Sequence, residues 1–270
     1  MRPIRTLALA SVVAAALFAA RPAAAQMQIP DHFENLQVLP KDIPKDTLVA
    51  VMRGFAQSLG VRCNFCHVER EGTGGPPSFN FASDDKTNKR NARVMMRMVR
   101  NINTQQLTQL PGRNTPPVSV TCLTCHRGLP VPTTLARVLT AALDSGGAQA
   151  AVARYRQLRE RDLASGRYDF SESSLNELAR TLAAQGKTAE AATLLELNAE
   201  FYPQSGQVEF QLGEVYRMRG ERDKAIVHYR MAQEKDPNNP QVARRIQELT
   251  GGAAPAPAPS APPAPPRPRR

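Results

Sequence analysis

Two five-residue strings, Cys63-Asn64-Phe65-Cys66-His67 and Cys122-Leu123-Thr124-Cys125-His126, use all four cysteines of the 270-residue chain and two of its four histidines. In a CxxCH string the two thiols sit about one turn apart and can add across the vinyl groups of one haem, while the adjacent histidine offers iron an axial nitrogen. A chain of this kind must fold around a group that it holds covalently. The two strings therefore imply two covalently bound c-type haems, with Cys63, Cys66, Cys122 and Cys125 as attachment points and His67 and His126 as iron ligands. Other uses of paired cysteines fit less well. Zinc ribbons separate their pairs by roughly 15–20 residues, whereas Cys122 follows Cys66 by 56 positions, and zinc gives no reason for a histidine after each second cysteine. Disulfides across two residues are strained, and redox CxxC pairs sit in a βαβ context that the sequence lacks.

The N-terminus points to export. Arg2 and Arg5 precede a largely apolar run of 14 residues from Leu7 to Ala20, followed by Ala23-Ala24-Ala25, which reads as a signal peptide over 1–25. A permanent anchor needs about 20 apolar residues. The mature chain is expected in the periplasm, soluble or peripherally associated with the membrane. The formal charge of +11 includes six arginines in the signal and the extreme C-terminus, leaving +5 for residues 26–250. With no basic stripe interleaved with aromatics, nucleic acid is excluded as a partner. A mildly basic surface still suits an acidic redox protein.

Composition divides the chain further. Residues 26–134 hold both strings among loops rich in Gly and Pro, such as Gly72-Thr73-Gly74-Gly75-Pro76-Pro77 and Pro111-Gly112-Arg113-Asn114-Thr115-Pro116-Pro117. With few aromatics and no tryptophan, this segment is expected to use the haems as its core and to fold only around them. Residues 135–170 read as linker and capping helices, 171–250 as paired helices, and the Pro/Ala-rich 251–270 as a disordered tail. The fold class is mainly α: a small, haem-cored helical multihaem cytochrome c domain followed by an array of helical hairpins.

Those hairpins repeat. Leu178 and Leu212, Leu182 and Tyr216, Gly186 and Gly220, Ala191 and Ala225, Leu195 and Tyr229, and Pro203 and Pro237 are each 34 residues apart. That is the period and pattern of the tetratricopeptide (TPR) repeat, a unit that docks proteins. Repeats are expected at about 173–206 and 207–240, capped by helices over 148–164 and 240–249.

A haem whose sixth position is filled by protein carries electrons, and one with an open position binds small ligands. Only His32 and His228 remain among histidines, and His228 lies in the second repeat, so methionine is the better sixth donor. A helix over 47–59 aligns Leu48, Met52, Phe55 and Leu59 and runs directly into Cys63. A second, over 88–103, aligns Ala92, Met95, Val99 and Ile102, with Met96 and Met98 to the sides. A methionine on an apolar stripe serves equally well as core filler, so spacing leaves Met52 and Met95 open as ligands.

The order Met52, Cys63-Asn64-Phe65-Cys66-His67, Phe81-Ala82-Ser83-Asp84-Asp85, Ala92-Arg93-Val94-Met95 and Cys122-Leu123-Thr124-Cys125-His126 resembles one half of the cytochrome subunit of photosynthetic reaction centres over roughly residues 33–131. The resemblance implies that Met52 is the sixth ligand of the first haem and Met95 that of the second, and that electrons pass toward a reaction centre complex. This chain departs from the family in having two haem strings rather than four, and repeats in place of the other half. The expectation is an electron carrier, not an enzyme: no catalytic residue and no small-molecule substrate, but a redox protein donor and acceptor, among them a membrane oxidoreductase or reaction centre complex. The alternatives are a haem enzyme of peroxidase or nitrogen-oxide reductase type with one five-coordinate iron, and a haem-bearing scaffold subunit of a larger oxidoreductase. Arg127, directly after the second haem histidine, is a candidate partner for a haem propionate.

Overall fold

The computed structural model describes residues 29–70, 78–111 and 118–251. The expected signal peptide, most of the expected tail and parts of the two Gly/Pro loops lie outside them. Contacts group the chain into two compact units, one of residues up to Ala56 with Arg62–Val120, the other of Gln57–Val61 with everything from Thr121 on.

The first unit starts with α1 (Lys45–Leu59), whose Asp46 places a negative charge in the first turn, where the helix dipole favours it. Leu48 is its buried residue and Met52, Phe55 and Leu59 are half-buried, the stripe expected from the sequence. A short 3-10 turn (Cys63–Phe65) follows, then an antiparallel hairpin of β1 (Val68–Arg70) and β2 (Ser78–Asn80) with Glu69 opposite Phe79. Next comes α2 (Thr87–Asn101), which continues into a wide turn over Ile102–Gln106. Among the described residues of this unit only Leu48 and Phe79 are buried hydrophobics.

The second unit contains the core. It begins with α3 (Cys122–His126), followed by α4 (Leu135–Asp162), capped by Thr134, which accepts the Arg137 N–H at 3.2 Å. Helical geometry breaks inside α4 at Gly146 and at Gly147, where φ is 69°. Then come α5 (Glu172–Ala184), α6 (Thr188–Phe201), α7 (Gly206–Met218), α8 (Arg222–Lys235) and α9 (Pro240–Thr250). Successive helices from α5 to α9 pack on one another, and α4 packs on α5 and α6. One continuous hydrophobic cluster runs from Leu135 to Val242.

The 34-residue spacing is explained by burial. Leu178, Leu182, Ala191 and Leu195 are buried in one hairpin, as are Leu212, Tyr216, Ala225 and Tyr229 in the next. Gly186 and Gly220, with φ of 80° and 74°, make the equivalent turn within each hairpin. Polar side chains then fix the hairpins: Asn198 donates to the Glu172 carbonyl at 2.9 Å and to Asn176 Oδ1 at 3.0 Å, and Tyr229 donates to Glu214 at 2.6 Å. The mainly α class and the helical repeat array stand as expected. One grouping differs from the sequence reading: residues 121–134, expected with the first segment, belong to the second unit. Leu129 packs against the repeats' hydrophobic cluster, which accounts for it.

Candidate haem-attachment sites

The two CxxCH strings adopt different turns that achieve the same placement. In the first, the amides of Cys66 and His67 both donate to the Cys63 carbonyl, at 3.2 and 2.9 Å. Both cysteines and the histidine thus sit on a single turn. The start of α2 holds that turn from outside: Asn88 donates to the Phe65 carbonyl at 3.1 Å, and Lys86 donates to the Asn64 carbonyl.

His67 meets the ring of Phe81 edge-on at 5.0 Å. Burial, helped by the nearby Lys89 charge, pushes its pKa down to about 4, so its imidazole is neutral at ordinary pH. Nδ1 of this ring is buried without a hydrogen-bond partner among the described residues. Buried polar atoms are rarely left so. The Cys66 thiol is pushed up by burial, which keeps it protonated.

The second string is α3 itself. Thr121 and Thr124 form a capping box at its start, with the Thr121 N–H donating to Thr124 Oγ1 at 3.0 Å. Arg127 ends the helix in the left-handed region with φ of 49°, its N–H donating to the Leu123 carbonyl at 3.0 Å. The chain then doubles back. Leu129 N–H donates to the His126 carbonyl at 2.8 Å, and His126 Nδ1 donates to the Leu129 carbonyl at 2.8 Å. A carbonyl only accepts, so Nδ1 carries the proton and Nε2 presents its lone pair, the arrangement that metal-binding histidines use. The Cys122 thiol is pushed up by burial. All four cysteines are free thiols. A neutral His67, a His126 tied through Nδ1 to a carbonyl, and paired free thiols therefore fit two c-type haems.

Sequence reasoning missed the supports of these turns. In the first unit, Asp84 accepts Arg93 Nη1 at 2.9 Å and forms ion pairs with Arg93 Nη2 at 2.8 Å and Lys89 at 3.1 Å. The Arg93 guanidinium first, then Asn35 and Lys89, holds its carboxyl far below the usual range. Lys89 also donates to the carbonyls of Phe81, Ala82 and Ser83 at 2.7–3.0 Å, so one clamp sets Phe81 against His67. Asn103 exchanges two 2.8 Å hydrogen bonds with the backbone of Val120. In the second unit, the Gly128 N–H donates to the Ser58 carbonyl at 2.8 Å. Nothing local in the sequence announces these pairs, which join residues 5–70 positions apart.

The expected methionines sit on helices as anticipated, with one difference. Met52 is half-buried on the inner stripe of α1. On α2 the half-buried stripe is Ala92, Met96 and Val99 rather than Ala92, Met95 and Val99. Met95 and Met98 are 43% and 45% exposed, beside Val94 at 59%. The reason is the Asp84 clamp, which draws Lys89 and Arg93 inward and rotates α2 about its axis so that Met96 follows them. Met95 thus lies on an exposed face of α2 with Val94 and Met98, while Met96 is half-buried.

Comparison with known proteins agrees with this chemistry. The family described as photosynthetic reaction centre cytochrome C subunit matches residues 8–189, and a tetratricopeptide repeat family matches residues 207–239. The photosynthetic reaction center cytochrome c subunit of Rubrivivax gelatinosus is 39% identical over 103 residues, covering 37% of this chain and 24% of that protein. That of Thermochromatium tepidum is 36% identical over 104 residues, covering 37% and 22%. Cytochrome c-554 of Chloroflexus aurantiacus is 38% identical over 96 residues, covering 36% and 20%. The chain spans about a fifth to a quarter of the length of these relatives.

Proposed function

Since the chain belongs to the photosynthetic reaction centre cytochrome C subunit family, we propose that it is an exported dihaem cytochrome that passes electrons between proteins, with its repeats as the docking module. Haem c supplies a one-electron iron couple. The polypeptide would supply the rest: Cys63 and Cys66 would tether one macrocycle and Cys122 and Cys125 the other, while His67 and His126 would give the irons nitrogen ligands. Met52 and Met95 would add a thioether ligand each, which raises the potential and suits a carrier. The carrying observation is the His126 Nδ1–Leu129 carbonyl hydrogen bond at 2.8 Å, which presets the ligand tautomer before any iron arrives. No residue is assigned to catalysis. The redox donor and acceptor are proteins, the acceptor a membrane complex of reaction centre or oxidoreductase type, reached from the periplasm. Among the described residues no helix is long and apolar enough to cross a membrane.

Maturation of the full chain in a host with c-type haem attachment tests this. Mass spectrometry should show two haems per chain, one lost in Cys63→Ala/Cys66→Ala and the other in Cys122→Ala/Cys125→Ala. The reduced protein should not bind carbon monoxide, whereas Met95→Ala should bind it at one haem and Met96→Ala at neither. Carbon monoxide binding by the unaltered protein would replace the carrier with the haem enzyme.

A further inference from the structure

A cleft of about 370 Å³ opens on the second unit, with Gln57, Leu123, Arg127, Ser165 and Arg167 in its wall. It lies off the ligand side of the second CxxCH string. Each residue of α3 turns about 100°, so Cys122, Cys125 and His126 share one side of the helix, and Leu123 lies off that side, one turn before Arg127. Neither cysteine lines the cleft, nor does His126. A group held by those three side chains leaves the cleft to another occupant.

Two guanidinium groups face into it, and a buried anion fixes one of them. Asp162, whose side chain is 3% exposed, accepts Arg167 Nη1 at 2.7 Å and also pairs with the more exposed Arg161 at 2.6 Å. Arg167 Nε donates to the Arg127 carbonyl at 3.4 Å. Its Nη2 stands over Gly128, where a Cβ would be 3.0 Å away. Among the described residues nothing accepts a hydrogen bond from Nη2 or from the Arg127 guanidinium. Ser171 first, and the Arg127 charge more weakly, hold the Asp169 carboxyl below its usual range. Asp169 Oδ1 accepts the Ser171 N–H at 2.9 Å, so Arg127 has no hydrogen-bonded anion of its own.

Paired guanidinium groups with free donors select a carboxylate, which they can take bidentately. The surroundings select a carboxylate carried by a protein. Leu123 is 51% exposed, and Leu163, which opens the turn that supplies Ser165, is 53% exposed. Arginine beside exposed apolar side chains is the makeup of a protein interface, and a small dissolved acid would gain nothing from the two leucines. Residues 154–167 also carry five arginines against Glu160 and Asp162, an excess of positive charge that draws an acidic surface.

We propose that this cleft docks an acidic redox protein, one of whose Asp or Glu side chains enters between Arg127 and Arg167 while the apolar surface around it rests on Leu123. This rests on the electron-carrier reading and deepens it. The partner is placed on the segment that carries the second pair of thiols, and the junction to the repeats supplies half of the contact, with Asp162 positioning Arg167.

The test mixes the matured, reduced full chain with two oxidised blue-copper proteins in a stopped-flow instrument, an acidic plastocyanin and a basic pseudoazurin, one electron passing from ferrous haem to Cu(II). Arg127→Gln and Arg167→Gln should each slow exchange with plastocyanin about tenfold at low salt, the cost of one charge-assisted hydrogen bond, and the difference should shrink near 1 M salt. Exchange with pseudoazurin should not slow. Arg161→Gln removes the same charge beside Asp162 but outside the cleft, and should slow plastocyanin less than about twofold. Poly-L-glutamate should compete with plastocyanin, and in calorimetry should bind Arg127→Gln about tenfold more weakly than the unaltered chain. Should Arg167→Gln misfold, Arg127→Gln decides alone, since no described residue accepts from its guanidinium. Unchanged exchange and unchanged poly-L-glutamate binding in Arg127→Gln would overturn the proposal, as would equal slowing in Arg161→Gln, or equal slowing with both copper proteins. Competition by free glutarate as strong as by the polymer would overturn it in favour of a small acid. Carbon monoxide binding by the reduced, unaltered chain would instead refute the carrier reading beneath it, and the poly-L-glutamate titration would then decide the carboxylate site by itself.

Discussion

Gly60→Ala should destabilise the protein more than any other single methyl addition at the end of α1. Gly60 has φ of 65°, and a Cβ built on it would lie 2.2 Å from the carbonyl oxygen of Gly128 and 3.0 Å from its carbon. The left-handed backbone alone costs an L-residue about 1–2 kcal/mol. The contact adds more, because the opposing atom is backbone and cannot swing aside. Reaching ordinary contact requires about 1 Å of movement, and forced packing of this kind costs about 1–3 kcal/mol. The expected loss is therefore about 2–5 kcal/mol. Movement of Gly128 also pulls on its 2.8 Å hydrogen bond to Ser58 and on the adjacent Leu129 carbonyl that orients His126. Urea denaturation of the matured chain, followed by far-ultraviolet circular dichroism, measures the loss. Gly54→Ala is the control: it lies inside α1 with nothing within 4 Å of a new Cβ and should stabilise by about 0.5–1 kcal/mol, as alanine does in a helix. A Gly60→Ala protein within 0.5 kcal/mol of the unaltered chain would refute the argument from close approach.

Two further outcomes follow from the supports described above. Asp84→Asn should lower stability at neutral pH: a carboxyl held below its usual pKa contributes in full above about pH 4, the unfolded value, and loses that contribution as pH falls toward the folded value. The gap between Asp84→Asn and the unaltered chain, taken from urea midpoints at pH 7, 5 and 3, should therefore be widest at pH 7 and 5 and narrow at pH 3; a constant gap would place the effect of Asp84 elsewhere than in its charge. Gly213→Ala should destabilise the repeats by about 1–3 kcal/mol, since its Cβ would fall 2.5 Å from the fully buried ring of Tyr229. Thermal melting of residues 148–250, which hold most of the continuous core, checks it, and an unchanged midpoint would show that α7 and α8 can part without cost.

What the sequence disclosed and what it hid divide along a physical line. The CxxCH strings are legible because the chemistry that needs them is local, with two thiols and an imidazole within five residues. The repeats are legible because burial recurs at a fixed interval, so that Leu178 and Leu212 or Ala191 and Ala225 advertise one another. The stripe on α1 is legible by the same periodicity. On α2 periodicity failed by one residue, and the cause is electrostatic: five basic residues and no acidic one lie between Thr87 and Asn101, and the helix turns to bring Lys89 and Arg93 to Asp84. A rule that counts only apolar residues cannot see that rotation. The arrangement at the second string is hidden for a different reason. Ser58, Gly128, Asp162 and Arg167 are unremarkable residues whose meaning comes from being brought together, and no interval in the chain relates them.

That difference bears on how the two halves of the molecule depend on each other. The first haem string is held by its own neighbours, from Asn88 and Lys86 at the start of α2 to Phe81 on the loop that Lys89 clamps. The second is held by residues of the unit that contains the repeats: Ser58 and Gly128 by backbone, Leu129 by packing on the hydrophobic cluster, and Arg167 through Asp162. Strain in the hairpins therefore has a covalent and hydrogen-bonded route to His126.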